Sequence, residues 1–289
     1  MKILAIDIGG TTIKADVYDQ KGISLGEFVE VCTKINHKEK TNDILNQVIK
    51  IIKEKDSDIV AISSAGVIDE NLGKVIFAGE TIPGFIGVDF KGEIKKQTGK
   101  EAFVLNDVNA AAMGELYRGN ATEDSVVITI GTGVGGCIIK NGSIIPSENF
   151  SQGEIGYIPI GEKSFQQIAS ATFLSKEYKK RKQLDYADGK MIFDQYDNNE
   201  EIAISLIDEF CKNLAKGLLP ILYLLNPKTI VIGGGIIERC DVLIPKIVKN
   251  VERMIENDIF MADIKPAKLK NEAGRLGALY FALKQLNKA

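Results

Sequence analysis

At 289 residues the chain exceeds the length one hydrophobic core usually supports, so two domains or one large α/β unit are expected. Its 36 basic and 39 acidic side chains nearly cancel to a formal net charge of -3, and 45% of residues are hydrophobic, so nothing in the composition advertises nucleic acid or a lipid surface. The longest apolar run, 217–225, is interrupted by Pro220 and too short for a bilayer, and no signal-peptide core precedes Asp7; a cytoplasmic protein without membrane or nucleic-acid partners is expected.

The chain opens on an apolar strand that runs into Asp7, Gly9, Gly10, Thr11 and Thr12. Glycines let backbone come close to an anion, threonines add donors, and Asp7 could hold a divalent cation through water, so the stretch reads as a phosphate cradle. A dinucleotide fingerprint needs a helix after its third glycine, and a Walker loop needs Gly-Lys-Ser/Thr at the same junction. Neither follows. Residues 12–18 and 23–25 are strand-like with a turn at 19–22, which puts the glycines in a hairpin.

Apolar residues at helical spacing predict a crossover helix over 41–55, with Thr41 or Asn42 as its cap. A buried strand, 59–64, ends at Ala65-Gly66, and turn-rich sequence fills 69–90. A short polar helix at 91–99 leads to a strand, 102–105, that ends in Asn106-Asp107, and a helix runs from Ala110 to Tyr117. Residues 125–142 then repeat the opening theme: strand, Gly131-Thr132-Gly133 bend, strand, turn. Two such cradles, each heading an α/β segment, predict duplicated domains that clamp one nucleotide between them.

Beyond Glu154 and Tyr157, residues 167–182 and 199–225 carry helical periodicity, and a strand at 229–232 ends in Gly233-Gly234-Gly235, placed for backbone to approach an adenine or ribose. A final helix spans 274–286. Cys32, Cys137, Cys211 and Cys240 show no paired spacing and read as small reduced core residues. The only histidine, His37, sits in a polar run, so acid–base chemistry falls to carboxylates.

Asp-Ile-Gly-Gly-Thr at 7–11, Asn106-Asp107, Ile-Gly-Thr-Gly-Val-Gly-Gly at 130–136 and Ile-Gly-Gly-Gly at 232–235, in that order, resemble the ROK sugar kinases across the whole chain. The resemblance implies an actin/hexokinase-like, ribonuclease H-like α/β fold with a nucleotide cleft, ATP and Mg2+ as cofactors, a small sugar as substrate, and a homodimer. It places a smaller domain at 1–108, a larger one at 109–274, and a last helix, 275–289, packed back on the smaller domain. Asp107 resembles the family's general base and Asn106, Glu154, Tyr157 and Gly66 its sugar-side residues. Gly9, Gly10, Thr11, Thr12 and Lys14 would hold phosphates, as would Thr132 and Gly133; Gly234 and Gly235 would meet the nucleoside, and Asp7 would order the magnesium shell. Asp107 could also cap the helix that follows it.

Many ROK members carry histidine where this chain has Tyr157, followed by a zinc-binding cysteine cluster; residues 161–170 hold no cysteine, so no zinc site is expected. Gln166 stands where those members place a sugar-binding glutamate. The departure resembles the zinc-less β-glucoside kinase branch, which ends in a stretch like Ala273-Gly-Arg-Leu-Gly-Ala278. It implies phosphorylation at the 6-hydroxyl of glucose or of a β-glucoside such as cellobiose, with N-acetylmannosamine and fructose as alternative substrates. A ROK repressor would need a helix-turn-helix ahead of the first strand at Lys2. An actin-like filament protein or chaperone ATPase would lack Asn106-Asp107 with Glu154, and a non-catalytic sugar sensor would not need both Asp7 and Asp107.

Overall fold

The computed structural model describes residues 1–79 and 81–287. They form two compact units: Met1–Gly119 with Pro146–Gln152 and Asn271–Ala289, and Asn120–Ile145 with Gly153–Lys270. The first unit thus runs past the expected limit at 108, because the helix after Asp107 packs on the last helix of the chain.

The first unit begins with β1 (Lys2–Ile8), β2 (Thr12–Asp19) and β3 (Val29–Cys32), then the short β4 (Ile35–Asn36) and β5 (Thr41–Asn42) and helix α1 (Ile44–Glu54). There follow β6 (Ile59–Ser64), the hairpin β7 (Val67–Asp69) and β8 (Lys74–Phe77), α2 (Phe90–Thr98), β9 (Glu101–Asn106) and α3 (Asp107–Arg118). Its sheet has the order β3-β2-β1-β6-β9, antiparallel across β3, β2 and β1 and parallel from β1 through β9. β1 is apolar at nearly every position because both of its faces are covered. Leu4, Ile6 and Ile8 enter a core with Ile44, Val48 and Ile52 of α1, while Ile3 and Ala5, equally buried, face the other way.

In the second unit come β10 (Ser125–Ile130), β11 (Val134–Lys140), β12 (Ser143–Ile144), β13 (Pro159–Ile160) and β14 (Lys163–Ser164). Helices α4 (Phe165–Ala169), α5 (Ala171–Lys182), α6 (Gly189–Asp197) and α7 (Glu201–Leu225) follow, then β15 (Thr229–Gly233), α8 (Cys240–Met254) and β16 (Asp263–Pro266). This sheet, β12-β11-β10-β15-β16, repeats the strand order and directions of the first. The duplicated α/β topology is that of the expected actin/hexokinase-like fold.

The chain ends in α9 (Ala273–Leu286), part of the first unit; Lys288 and Ala289, assigned to this helix from sequence, lie outside the described residues. Gly114 of α3 meets Gly277 of α9, and three residues further along both helices Tyr117 stacks on Tyr280, so the two run side by side in the same direction. Neither glycine has room for a side chain: a Cβ on Gly114 would strike the Ala273 carbonyl oxygen, and one on Gly277 that of Ala110.

Several local expectations need correction. Residues 23–25 form only a single bridge at Ser24 to Tyr18, and the true partner of β2 is β3. α1 starts at Ile44, after Asp43, whose side chain makes no cap bond; of the two expected caps, Asn42, in the short β5, accepts the Ile44 amide on Oδ1 at 3.2 Å from one residue further out. The helix expected over 167–182 is split at Ser170, whose hydroxyl caps α5. Cys32 is exposed rather than core, while Cys137 and Cys211 are buried. Among the described residues no helix is long and apolar enough to cross a membrane.

Candidate active site

In the first unit the functional side chains gather where β1, β6 and β9 end, the edge at which open α/β sheets bind ligands. Gly9 N–H donates to the Thr12 carbonyl at 2.9 Å and closes the turn between β1 and β2. The turn's tip is held from behind: Thr33 Oγ1 donates to the Gly10 carbonyl and Thr33 N–H to the Thr11 carbonyl, each at 2.9 Å. With those carbonyls engaged, the tip offers an incoming group its amides and the exposed Thr11 hydroxyl.

Asp7 lies in a cross-strand row with Ser63 on one side and Lys14 on the other, and Lys14 pairs onward with Glu30. Ser63 Oγ donates to Asp7 Oδ1 at 2.6 Å, and Lys14 Nζ stands 3.9 Å from Glu30 Oε1. Burial pushes the Asp7 carboxyl above the ordinary range, against the pull of the Ser63 bond and of Arg275 and Lys14. Lys14 is therefore a member of a charge row two residues into β2, not part of the turn.

Asp107 is the first residue of α3, and the cap expected of it belongs to Asn106. Asn106 Oδ1 accepts from the amides of Val108 and Asn109 at 2.9 and 3.1 Å. Its Nδ2 donates to the Gly66 carbonyl at 2.8 Å and to Asp107 Oδ1 at 2.9 Å. Both donors and both acceptor positions of the amide are thus spent within the protein. Gly66 sits at φ +91°, where a Cβ would stand 2.6 Å from the Phe77 carbonyl oxygen, so it brings β8 close to the Asn106 clasp. Asp107 is raised to about 6, first by burial and then by the Asp7 charge, against its bonds to the Val108 amide and to Asn106. A carboxyl poised there accepts a proton at neutral pH more readily than an ordinary aspartate.

The second unit assembles a separate set. Gly131 N–H donates to the Gly133 carbonyl at 3.0 Å, and the Gly131 carbonyl accepts from the Ala171 amide at the start of α5, leaving Thr132 exposed at the tip. The Gln166 side chain lies against Gly133 and Gly156. A glycine pair lays the segment after Gly153 on β11, since a Cβ on Gly136 would stand 2.7 Å from the Gly153 carbonyl oxygen. That segment carries Glu154 and Tyr157 around one 3-10 turn, Ile155–Tyr157. Glu154 makes no cap bond, and although the residue is exposed, neighbouring protein raises its carboxyl pKa by desolvation. Tyr157 is 62% exposed and so is no packing residue of this core. Gly234, at φ +101°, is explained by packing, because a Cβ there would strike the Ile130 backbone; Gly235 faces open space.

Ser63, Thr33 and Gln166 complete these arrangements, and only Gln166 stood out in the sequence. The two serines closing the buried run 59–64 were the available signal for Ser63: both are fully buried, at a strand end beside a carboxylate.

A ROK family model matches residues 3–285. The chain belongs to the ROK family. Among relatives, it is 30% identical to a beta-glucoside kinase of Listeria monocytogenes, covering 100% of this chain and 99% of that one. It is 28% identical to a glucokinase of Thermotoga maritima, covering 96% of each, and 28% identical to an N-acetylmannosamine kinase of Haemophilus influenzae, covering 97% and 95%. Among solved structures, a ROK family protein from Streptococcus pneumoniae in complex with sucrose superposes with a TM-score of 0.88 at 26% identity, covering 100% of both chains. A ROK glucokinase from Streptomyces griseus in complex with glucose and AMPPNP gives 0.81 at 25%, covering 97% and 99%.

The residues present fit a hydrated magnesium ion. One oxygen of Asp7 is held by Ser63 while the other has no bond among the described residues, and the Asp7–Asp107 repulsion is one a cation would relieve. No group of three or more His, Cys, Asp or Glu side chains gathers among the described residues, so most ligands of such an ion would be water and phosphate oxygens.

Proposed function

We propose that this ROK protein transfers the γ-phosphoryl group of ATP to the 6-hydroxyl of a glucose-type sugar, glucose itself or a β-glucoside such as cellobiose. The observation that carries the reading is Asp107, a carboxyl raised to about 6 at the end of β9, clasped by Asn106 beside Asp7. The beta-glucoside kinase and glucokinase relatives support the same substrate class.

Asp107 takes the proton of the sugar hydroxyl as the new O–P bond forms and the bond to the departing ADP breaks. Asn106 keeps the Asp107 carboxyl in place and ties it to the strand carrying Gly66. Gly9, Gly10, Thr11 and Thr12 hold phosphate oxygens at the first hairpin, and Thr132 and Gly133 are phosphate donors on the second. Lys14 contributes charge from β2, Gly235 leaves room for the nucleoside, and Glu154 accepts bonds from sugar hydroxyls. Magnesium, held through water by Asp7, would supply neutralisation of phosphate charge. Catalysis here is positioning and electrostatics, so one well-placed base is sufficient protein chemistry.

The exposed ring of Tyr157, with no zinc loop after it, supports acceptance of a group attached at the sugar's anomeric carbon. The test is coupled ADP release over a panel of sugars, with Asp107→Asn as control. A panel in which cellobiose matches or exceeds glucose in kcat/KM is expected, with the cellobiose rate falling more than the glucose rate in Tyr157→Ala. Strong preference for free glucose would remove the glucoside reading, and undiminished turnover in Asp107→Asn would remove the assigned base.

A further inference from the structure

We propose that Gly274, the second residue of α9, is a positioning residue for Asp7: the bare backbone there is the stop against which the carboxylate rests. The inference rests on the kinase reading above.

The geometry leaves no slack. A Cβ on Gly274 would stand 2.5 Å from Asp7 Oδ1, 2.8 Å from Asp7 Cγ and 3.0 Å from Ser63 Oγ. Real Cβ atoms do not approach so closely, so any side chain at this position displaces the carboxylate or the helix. Asp7 has little freedom to retreat, being locked in register between Ser63 and Lys14 and bound by Ser63 Oγ at 2.6 Å. Nor can α9 move away cheaply, because the Gly114–Gly277 contact fixes it against α3, the helix that begins with Asp107. One rigid pair of helices thus sets both carboxylates.

The same turn adds charge. Arg275 is only 6% exposed, its guanidinium lies 4.7 Å from the centroid of the Phe28 ring, and its Nε has no hydrogen-bond partner among the described residues. The Arg275 charge, one residue from Gly274, attracts the Asp7 carboxylate toward that stop. The positive φ that accounts for many glycines is absent at Gly274, so contact with Asp7 and Ser63 is what excludes a side chain.

The test compares Gly274→Ala with Gly189→Ala, which places the same methyl at the start of α6 with open space around it. Calorimetry of ADP binding with and without Mg2+, thermal melting, and kcat against sugar KM are measured on the full chain. Gly274→Ala is expected to weaken magnesium-dependent ADP binding at least tenfold, leave magnesium-free ADP binding within twofold, and lower kcat at least tenfold with sugar KM unchanged. Gly189→Ala should match wild type throughout. Should Gly274→Ala not fold, Arg275→Gln, which adds no bulk, is expected to weaken the same magnesium-dependent binding severalfold. Wild-type magnesium dependence in Gly274→Ala, or in Arg275→Gln where that variant stands in, overturns the proposal. Equal losses with and without Mg2+ also overturn it, since they would mean only disturbed packing. A wild-type chain that binds Mg-ADP but phosphorylates no sugar would overturn the kinase reading while leaving the Gly274 contact testable by calorimetry.

Discussion

Asn106 Nδ2 donates to Asp107 Oδ1 at 2.9 Å while Asn106 Oδ1 caps the helix that Asp107 begins, so one amide both starts α3 and aims its first carboxyl. Asn106→Ala removes the cap and the clasp to Gly66 together. A loss of about 1 kcal/mol in stability is expected from the cap alone. Activity should fall mainly in kcat, by tenfold or more, because the carboxyl is no longer oriented. Steady-state kinetics beside a denaturant melt check this, and a rise in sugar KM with kcat preserved would assign the amide to substrate instead.

Asp107 is held at a cost to the fold. Its carboxyl is raised in the native state to about 6 from an unfolded value of 3.8, so the native protein binds the proton more tightly. Stability from this group is therefore present below the unfolded pKa and is lost as pH rises between 3.8 and about 6. The rise from 3.8 to about 6 sets a ceiling of about 3 kcal/mol on the penalty above pH 6, and because the residue is only part-buried the penalty falls below that ceiling. Asp107→Asn should accordingly melt several degrees higher than wild type at pH 8 and close to it at pH 4, while losing at least a hundredfold in kcat. Melting curves at the two pH values read the difference, and equal shifts at both would contradict it.

The same shift sets the pH profile. A base must be unprotonated in the free enzyme, so kcat/KM for the sugar should climb tenfold per pH unit below about 6 and level off above it. Ser63→Ala removes the bond that lowers the neighbouring Asp7 carboxyl, so Asp7 should hold its proton to higher pH than in wild type. With less negative charge beside Asp107, the inflection should move to lower pH. A profile flat from pH 5 to 8 would contradict a base of this kind.

Most of the local structure around Asp7 and Asp107 was readable because its signals are local. An apolar run ending in Asp7 and two glycines can form little other than a strand and a tight turn, and Asn106-Asp107 between a strand and an alanine-rich helix marks a junction. What the sequence could not supply are contacts between segments far apart: Ser63 and Gly274 touch Asp7 across 56 and 267 residues of chain. The cap was misplaced by one residue because Asn and Asp serve equally well as caps. α8 and β16 went unread; α8 runs unbroken through Pro245, and Leu243, Ile247 and Val251, spaced for one buried face, were the signal available for it. The strand assigned to 23–25 is reduced to one antiparallel bridge: Asp19 Oδ1 accepts from the amides of Lys21 and Ile23 to make the turn, and Asp19 N–H to the Ile23 carbonyl and Leu25 N–H to the Val17 carbonyl are the pairing that follows.

In the second unit, Gly136 and Gly153 meet backbone to backbone, and this contact, together with that of Gly156 against the Val134 carbonyl, lays the Glu154–Tyr157 segment on β11. Gly136→Ala would put a methyl group 2.7 Å from the Gly153 carbonyl oxygen and 2.8 Å from the Ile155 side chain. The segment must lift by a few tenths of an ångström or more, at about 1 to 3 kcal/mol of overpacking. Because the lifted segment carries Glu154, the assigned sugar acceptor, sugar KM should rise at least fivefold. ATP KM should change less, since Thr132 and Gly133 precede β11 and reach the segment through the Gln166 side chain. Glu154→Gln should reproduce the sugar effect without the loss of stability. Kinetics of both variants beside their melting temperatures separate the outcomes: an ATP effect as large as the sugar effect in Gly136→Ala would mean that the hairpin itself, not the segment resting on it, had moved.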